Sequence, residues 1–479
     1  MTSKEKSERH WRLLIRAFAV VAVTTLALAS CGKVPDTTRE RPNIVVIVVD
    51  DLGWADVGYH GGPIRTPHID RLARESVEFD RFYVSPVCTP TRAGLLTGRY
   101  PIRYGLARSV VKPWRRVGLD PTEVTLAELL DSAGYEHRAA FGKWHLGHLL
   151  RKWHPLNHGF SHFYGHYNGA IDYYTHVREG ERDWHVDYEP RDEQGYATDL
   201  VADAASHFIK EHADEGPFFC YVAFNAPHEP LQAPGKYVDM YSHLHGARRI
   251  LAAMITCLDD GVGRILDSID EAGIRDNTMV WFMSDNGGIE VIPDNNLPLR
   301  GNKADVFEGG VRVPASIRWP DGFSGGRKID TPAAYIDVLP TVMHALRISD
   351  HGGKPIDGVT LLGVLKGERE IPARDLYFYV GIRGPADEQA AIRSSQWKLI
   401  VLGPNIERGI GKKNRVLLFD IRHDPNEEND VSTDHPDVVG ELSERLVAFR
   451  QLQPVDTVHP LAQGRNNFRA PPDWRIPDE

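Results

Sequence analysis

The sequence predicts an α/β fold: a sheet sandwiched by helices, followed by a smaller C-terminal antiparallel sheet plus helix. Three observations predict it. Asn43–Val49, Phe218–Phe224 and Thr278–Met283 are continuous apolar runs rich in β-branched and aromatic residues, as strands buried on both faces are. Stretches of helical spacing lie between these runs, and strand–helix alternation makes a sheet covered on both faces. Each run also ends in polar residues, and sheets of this kind bind ligands at the carboxyl ends of their strands.

Composition bounds the rest. The chain has 479 residues, 42% hydrophobic and 25% charged, which is a folded globular composition and excludes wholesale disorder. With 56 basic and 66 acidic residues the net charge is −10, so no nucleic-acid partner is expected. Four cysteines in such a length exclude a disulfide scaffold.

From the amino end, Lys4, Lys6, Arg9, Arg12 and Arg16 precede an apolar run, Ala17–Ala29, too short to span a bilayer comfortably. The run stops at Leu28-Ala29-Ser30-Cys31-Gly32, which resembles a bacterial lipobox. The expectation is a lipoprotein signal peptide over 1–30, a lipidated Cys31 and a polar tether over 31–41, placing the protein in a bacterial cell envelope on a membrane anchor. The first buried strand, Asn43–Val49, ends in Asp50-Asp51. Helical stretches follow at Ile69–Ser76, Leu126–Ala133 and Leu200–Glu211. The second strand then ends in Asn225-Ala226-Pro227-His228. A helix over Ile250–Ala272 precedes the third strand, which ends in Ser284-Asp285-Asn286-Gly287-Gly288.

The texture changes in Leu365-Lys366-Gly367-Glu368, which sets a boundary between 42–365 and 366–479. Beyond it, Leu376–Val380, Ala390–Arg393, Lys398–Leu402 and Val416–Asp420 are short strand candidates, and Glu441–Leu452 has helical spacing. A Pro- and Asn-rich tail from Pro454 should run over the surface. Cys220, mid-strand, and Cys257, on a helix, are expected as two buried thiols.

One segment carries chemistry. In Val87-Cys88-Thr89-Pro90-Thr91-Arg92, a cysteine at a proline-shaped turn has an arginine one helical turn later, and Leu95-Leu96-Thr97-Gly98-Arg99 follows. Alone, such a pair would lower a thiol pKa or hold an anion. The whole segment resembles the signature of the formylglycine-dependent sulfatases of the alkaline-phosphatase-like superfamily. Further motifs agree: Gly142-Lys143-Trp144-His145-Leu146-Gly147, Ala226-Pro227-His228-Glu229-Pro230, and Gly301-Asn302-Lys303 before Phe307-Glu308-Gly309-Gly310. The resemblance covers roughly 42–450.

That resemblance implies a large mixed, mostly parallel sheet. It also implies oxidation of Cys88 to formylglycine by a separate maturation enzyme, and hydrolysis of sulfate esters through a covalent sulfated intermediate. The metal ligands it implies are Asp50, Asp51, Cys88, Asp285 and Asn286. Three carboxylates and an amide oxygen are a hard set suited to Ca²⁺ ahead of Mg²⁺. The implied catalytic set is Cys88, Arg92, Lys143, His145, His228 and Lys303. In it, Lys143, Lys303 and Arg92 meet sulfuryl oxygens, His228 protonates the leaving oxygen and His145 takes the proton whose loss expels sulfate.

The substrate is less sharply written. His137 to His185 holds nine histidines among many aromatic residues, which suits either a solvated connecting region or the wall of a sugar pocket. Asp172-Tyr173-Tyr174-Thr175-His176, His228-Glu229-Pro230-Leu231-Gln232-Ala233-Pro234 and Pro298-Leu299-Arg300-Gly301 look like the arylsulfatase B branch. That branch implies a sulfated carbohydrate partner, with N-acetylgalactosamine 4-sulfate of chondroitin or dermatan type as its specific form. Ala304-Asp305-Val306 departs from the larger, more aromatic residues of the branch after Lys303. Two other readings use the same scaffold: a phosphodiesterase or phosphonate monoester hydrolase, and a non-catalytic lipoprotein that binds sulfated glycans.

Overall fold

The computed structural model describes residues 41–382, 384–454 and 464–477. The signal-peptide and lipid-anchor expectations, with Cys31, lie outside the described residues. Pro42–Glu479 is one compact body. Among the described residues no helix is long and apolar enough to cross a membrane.

A ten-stranded sheet organises this body. In chain order its strands are β1 (Asn43–Val49), β2 (Val77–Phe79), β3 (His137–Lys143), β4 (His162–His166), β5 (His185–Val186), β6 (Glu189–Pro190), β7 (Phe218–Ala223), β8 (Thr278–Ser284), β9 (Ala315–Arg318) and β10 (Arg327–Ile329). Their spatial order is β10-β2-β9-β8-β1-β7-β3-β4-β5-β6. The five central strands, β8-β1-β7-β3-β4, run parallel. Antiparallel pairs continue the sheet on each side, at β8–β9 and β4–β5.

Strand β1 shows why this arrangement is stable. Ile44, Val46 and Val48 enter one apolar cluster, while Val45, Ile47 and Val49 enter the other. Successive side chains point to opposite faces, so NIVVIVV must be covered on both. On one face lie the helices α1 (Pro67–Glu75), α4 (Ala197–His212) and α5 (Gly246–Glu271), through residues such as Leu72, Val201 and Leu258. On the other lie α2 (Cys88–Thr97), α3 (Leu126–Ser132) and α6 (Val338–Ala345), through Leu95, Leu130 and Leu339. Each buried Val or Ile contributes about 1.5–3 kcal/mol relative to exposure.

The C-terminal sheet is present and antiparallel: β11 (Leu376–Val380), β12 (Gln389–Arg393), β13 (Trp397–Leu402) and β14 (Arg415–Asp420), in that order. Helix α7 (Pro436–Arg450) packs on it through Leu442, Leu446 and Phe449, within the same apolar cluster as α2 and α6. Cys220 and Cys257 are free and buried.

Strand β3 was not foreseen. Its sequence, HRAAFGK, contains only three apolar residues, too short a run to read as a buried strand. Neighbours on both sides make it one: it pairs with β7 and with β4.

Candidate active site

Four adjacent parallel strands deliver their carboxyl ends to one place. β8 supplies Asp285 and Asn286, β1 supplies Asp50 and Asp51, β7 leads to His228, and β3 ends at Lys143 with His145 two residues on. Helix α2 brings its amino end to the same place, with Cys88 as its first residue. The ten residues proposed for catalysis and metal binding therefore converge, although they span more than two hundred positions of chain.

The contacts are specific. The Cys88 thiol donates to Asp50 Oδ1 at 3.4 Å, and Lys143 Nζ is paired with Asp50 Oδ2. Arg92, wholly buried, donates from Nε and Nη2 to Asp285 Oδ2 at 2.9 and 2.7 Å, and from Nη1 to the Lys143 carbonyl at 3.1 Å. Lys303 Nζ lies 2.7 and 2.8 Å from the two oxygens of Asp51. Asp51 has a left-handed backbone, φ 70°, that turns the chain just after β1. This puts two consecutive carboxylates within reach of the site.

The two histidines are oriented by backbone carbonyls. His145 Nε2 donates to Val111 O at 3.0 Å, leaving Nδ1 buried without a partner. His228 Nδ1 donates to Glu229 O at 2.6 Å, so its Nε2, 3.8 Å from Asp51 Oδ2, is the nitrogen left to titrate. Thr89, beside Cys88, ties these parts together: its hydroxyl donates to His145 O at 3.0 Å and accepts from Val111 N at 3.1 Å. Gly169 lies against the His145 ring, where a Cβ would fall 2.4 Å from Cε1 and Nε2.

The electrostatics follow from burial among charges. Burial, then the Asp50 carboxylate, pushes the Cys88 thiol up to about 12. The unmodified side chain is therefore a thiol at neutral pH and a weak nucleophile. Burial would raise Asp51, but Lys303, His228 and Lys143 outweigh it and bring it to about 2. Burial, then Asp50, raises Asp285 despite Arg92. Burial, then neighbouring lysines, lowers both His145 and His228, the latter to about 3.

A divalent cation fits this donor set. Ligand atoms of Asp50, Asp51, Cys88 and His228 lie within 4.8 Å of one another. Asp285 Oδ1 reaches the Asp51 backbone N–H at 3.3 Å, which adds a third carboxylate to the group. Asn286 donates through Nδ2 to Asp51 Oδ1 at 2.6 Å, while its Oδ1 is buried with no hydrogen-bond partner. A buried amide oxygen without a donor, beside three carboxylates, is the arrangement a hard cation satisfies.

A cavity of about 660 Å³ opens above Cys88. His145, His228 and Lys303 line it, together with Val111, Lys112, Arg178, Glu229, Glu290 and Ala304. Lys112 and Arg178 belong to no recognised motif, so nothing in their local sequence marked them. The histidine-rich stretch resolves differently from either sequence reading. His148, His154, His158, His166, His176 and His185 are buried, as are Trp153, Tyr167, Tyr173 and Trp184, and none of these lines the cavity. They form packed aromatic pairs such as His176–Trp184 and Tyr167–His185. From that stretch only His145, Gly169, Ala170 and Arg178 reach the cavity.

The sulfatase family model matches residues 42–348, and the C-terminal model of N-sulphoglucosamine sulphohydrolase matches 302–452. Arylsulfatase J of Mus musculus is 31% identical over 481 residues, covering 90% of this chain and 79% of that protein. N-acetylgalactosamine-6-sulfatase of Mus musculus is 35% identical over 383 residues, covering 74% and 72%. The crystal structure of Ps i-CgsB in complex with k-i-k-neocarrahexaose superposes with a TM-score of 0.80 at 30% identity, over 89% of this chain and 96% of that one. The phosphonate monoester hydrolase of Agrobacterium radiobacter shares the fold, with a TM-score of 0.61 at 21% identity over 86% and 96%.

Proposed function

The chain belongs to the sulfatase family and is a sulfuric ester hydrolase; from that premise we propose that it removes sulfate from sulfated carbohydrate with an oxidised residue 88 as nucleophile. The observation that carries this reading is the convergence of Cys88, Lys303, His145 and His228 on one cavity, with Lys143 and Arg92 buried beneath it, around three carboxylates.

Formylglycine, made from Cys88 by a maturation enzyme and hydrated, supplies two hydroxyls on one carbon: one to displace the alcohol at sulfur, the other to expel sulfate once deprotonated. The chain's own groups do the rest. Lys143 and Lys303, already at the carboxylates beside residue 88, place positive charge where sulfuryl oxygens develop negative charge. Arg92 holds Asp285 and the Lys143 carbonyl, so it fixes the floor on which those charges rest. His228 presents Nε2 to protonate the leaving oxygen. That imidazole is neutral as it stands, and a sulfate anion bound beside it favours its protonated form. His145 is kept neutral by burial, and its unpartnered Nδ1 has the free lone pair with which to accept a proton. Asp50, Asp51, Asp285 and Asn286 would hold a divalent cation, for which we favour Ca²⁺ and which would lower the pKa of a hydroxyl on residue 88 and offset sulfate charge.

The specific sugar we propose is an N-acetylgalactosamine sulfate. The arylsulfatase B-like motifs support the 4-sulfate; a relative whose name specifies the 6-sulfate supports the alternative position. Matured enzyme tested on 4-sulfated and 6-sulfated N-acetylgalactosamine, an aryl sulfate and a phosphodiester decides the matter. The highest kcat/KM is expected on the 4-sulfated sugar. A higher value on the phosphodiester would overturn the sulfatase assignment, and a higher value on the 6-sulfate would overturn only the position. We also place the protein in the bacterial cell envelope, anchored through lipidated Cys31. Cys31→Ala should then move the enzyme from the membrane fraction to the soluble one, and an unchanged distribution would refute the anchor.

A further inference from the structure

The cavity above residue 88 holds more positive charge than one sulfate needs. Lys143, Arg92 and Lys303 are each paired with a carboxylate, on Asp50, Asp285 and Asp51. Lys112 and Arg178 line the same cavity, and neither is paired with one of those three carboxylates. The Lys112 ammonium makes no ion pair or hydrogen bond among the described residues. Arg178 has its Nε buried without a hydrogen-bond partner, and the ion pair it makes is with the adjacent Glu179, at 3.8 Å.

Both cations stand on firm supports. Lys112 sits between two clamped carbonyls: Val111 O accepts from His145 Nε2 at 3.0 Å, and Pro113 O accepts from His148 Nε2 at 2.9 Å. Arg178 lies on a two-stranded hairpin, Val177–Arg178 with Glu181–Arg182. The chain's C-terminal segment braces that hairpin. Trp474, wholly buried, donates from Nε1 to Arg178 O at 3.0 Å, and Asp473 N donates to Glu181 Oε2 at 3.0 Å. Two like charges are thus held in one cavity by separate elements, Lys112 without an ion pair among the described residues and Arg178 with only the long contact to Glu179.

Holding them there is unfavourable. Burial, then the charges of Arg178 and Lys303, bring Lys112 down to about 8. The cavity's own carboxylates, Glu229 and Glu290, are exposed and pair with neither Lys112 nor Arg178; Glu179 and Asp183 act on Arg178 from outside the cavity lining. A bound anion would offset it.

We propose that Lys112 and Arg178 form a second anion subsite, which takes a carboxylate or sulfate on the substrate's sugar chain other than the sulfate being hydrolysed. The proposal rests on the reading of this cavity as a carbohydrate sulfatase site. A guanidinium fork and an ammonium match the oxygens of either anion, and neither neutral sugar nor a plain aryl sulfate offers them a partner.

The test compares four sulfated substrates with matured enzyme. They are 4-nitrophenyl sulfate, a neutral disaccharide with one sulfate, the same disaccharide with a uronate neighbour, and the same disaccharide with a second sulfate. Wild type is expected to prefer at least one doubly anionic sugar over the neutral one by tenfold or more in kcat/KM. Lys112→Ala and Arg178→Ala should each cut that preference at least fivefold, through KM, and Lys112→Arg should restore most of it. The uronate and disulfate arms identify which anion the subsite takes. No preference in wild type, or equal losses on all four substrates, would overturn the subsite. If none of the sulfates is turned over, the hydrolase reading fails separately, and binding to the Cys88→Ala protein then decides the subsite. Tenfold tighter binding of a doubly anionic sugar, lost in Cys88→Ala with Lys112→Ala, supports it; equal affinities overturn it.

Discussion

Arg92 and Asp285 form a wholly buried pair in which two guanidinium N–H groups converge on a single carboxylate oxygen, at 2.9 and 2.7 Å. The pair joins helix α2 to the end of strand β8 across 193 positions of chain. Removing one partner of a buried pair leaves the other charge without compensation and costs about 3–5 kcal/mol. Arg92→Ala is therefore expected to lower stability by that order and to abolish turnover. Denaturant unfolding measures the first effect, and a change below 1 kcal/mol would show that the pair is not a structural anchor.

Cys88→Ala should reduce turnover to background while leaving stability within about 1 kcal/mol, because only one sulfur atom is removed from a well-packed helix start. Peptide mass spectrometry around residue 88 should find an aldehyde in place of the thiol in active preparations. Activity in the alanine variant, or full activity in protein that carries only the thiol, would remove the nucleophile assignment.

Chelation should abolish activity and release a divalent ion, with Ca²⁺ restoring turnover better than Mg²⁺. Asn286→Ala, which removes the buried oxygen that has no donor, should lower the bound metal measured by elemental analysis. Full activity after complete metal removal would refute the metal site.

Gly169→Ala puts a methyl group 2.4 Å from the His145 ring and must push that ring off the Val111 carbonyl. The chain should still fold, and kcat should fall about tenfold or more. Unchanged kcat would mean that His145 does not need its present orientation.

Stability should depend on pH through the buried histidines. His154 donates from Nε2 to Asp187 O at 2.8 Å and accepts at Nδ1 from Leu156 N at 3.1 Å, so it is neutral in the fold. Burial lowers it to about 3, and likewise brings His158 to about 4 and His166 to about 3. The unfolded chain binds these protons near pH 6.5. The folded state is then fully favoured above about pH 6.5 and loses about 1.4 kcal/mol per histidine per pH unit as pH falls toward 3. His154→Asn keeps the neutral hydrogen-bonding pattern and should flatten the slope between pH 6.5 and 5 in denaturant melts. An unaltered slope would show that His154 does not titrate on unfolding.

Much of the site was legible in local sequence because its chemistry is written in short motifs at strand ends. Asp50-Asp51 after NIVVIVV, Asp285-Asn286 after TMVWFM and Cys88 before Arg92 each stood out within ten residues. The three strong strands were visible because burial on both faces demands unbroken apolar runs. Strand β3 was not visible, because only Ala139, Ala140 and Phe141 of its seven residues are apolar and its burial comes from the partners on both sides. The histidine-rich stretch also misled: imidazoles and aromatic rings suit a wet sugar pocket or a packed interior equally well, and stacking such as His176 on Trp184 places most of them in the interior.

Residue identity and spacing were enough to name the family and to single out Cys88 and the polar groups that gather around it, because those are set by the chemistry of single side chains and their near neighbours. The meeting of β8, β1, β7 and β3 at one sheet end, the pairing of Lys143 and Lys303 each with a particular aspartate, and the placing of Lys112 and Arg178 in one cavity depend on contacts across tens to hundreds of positions. Charge pairing and burial are properties of distance in space, and distance in space is not encoded in any one stretch of chain.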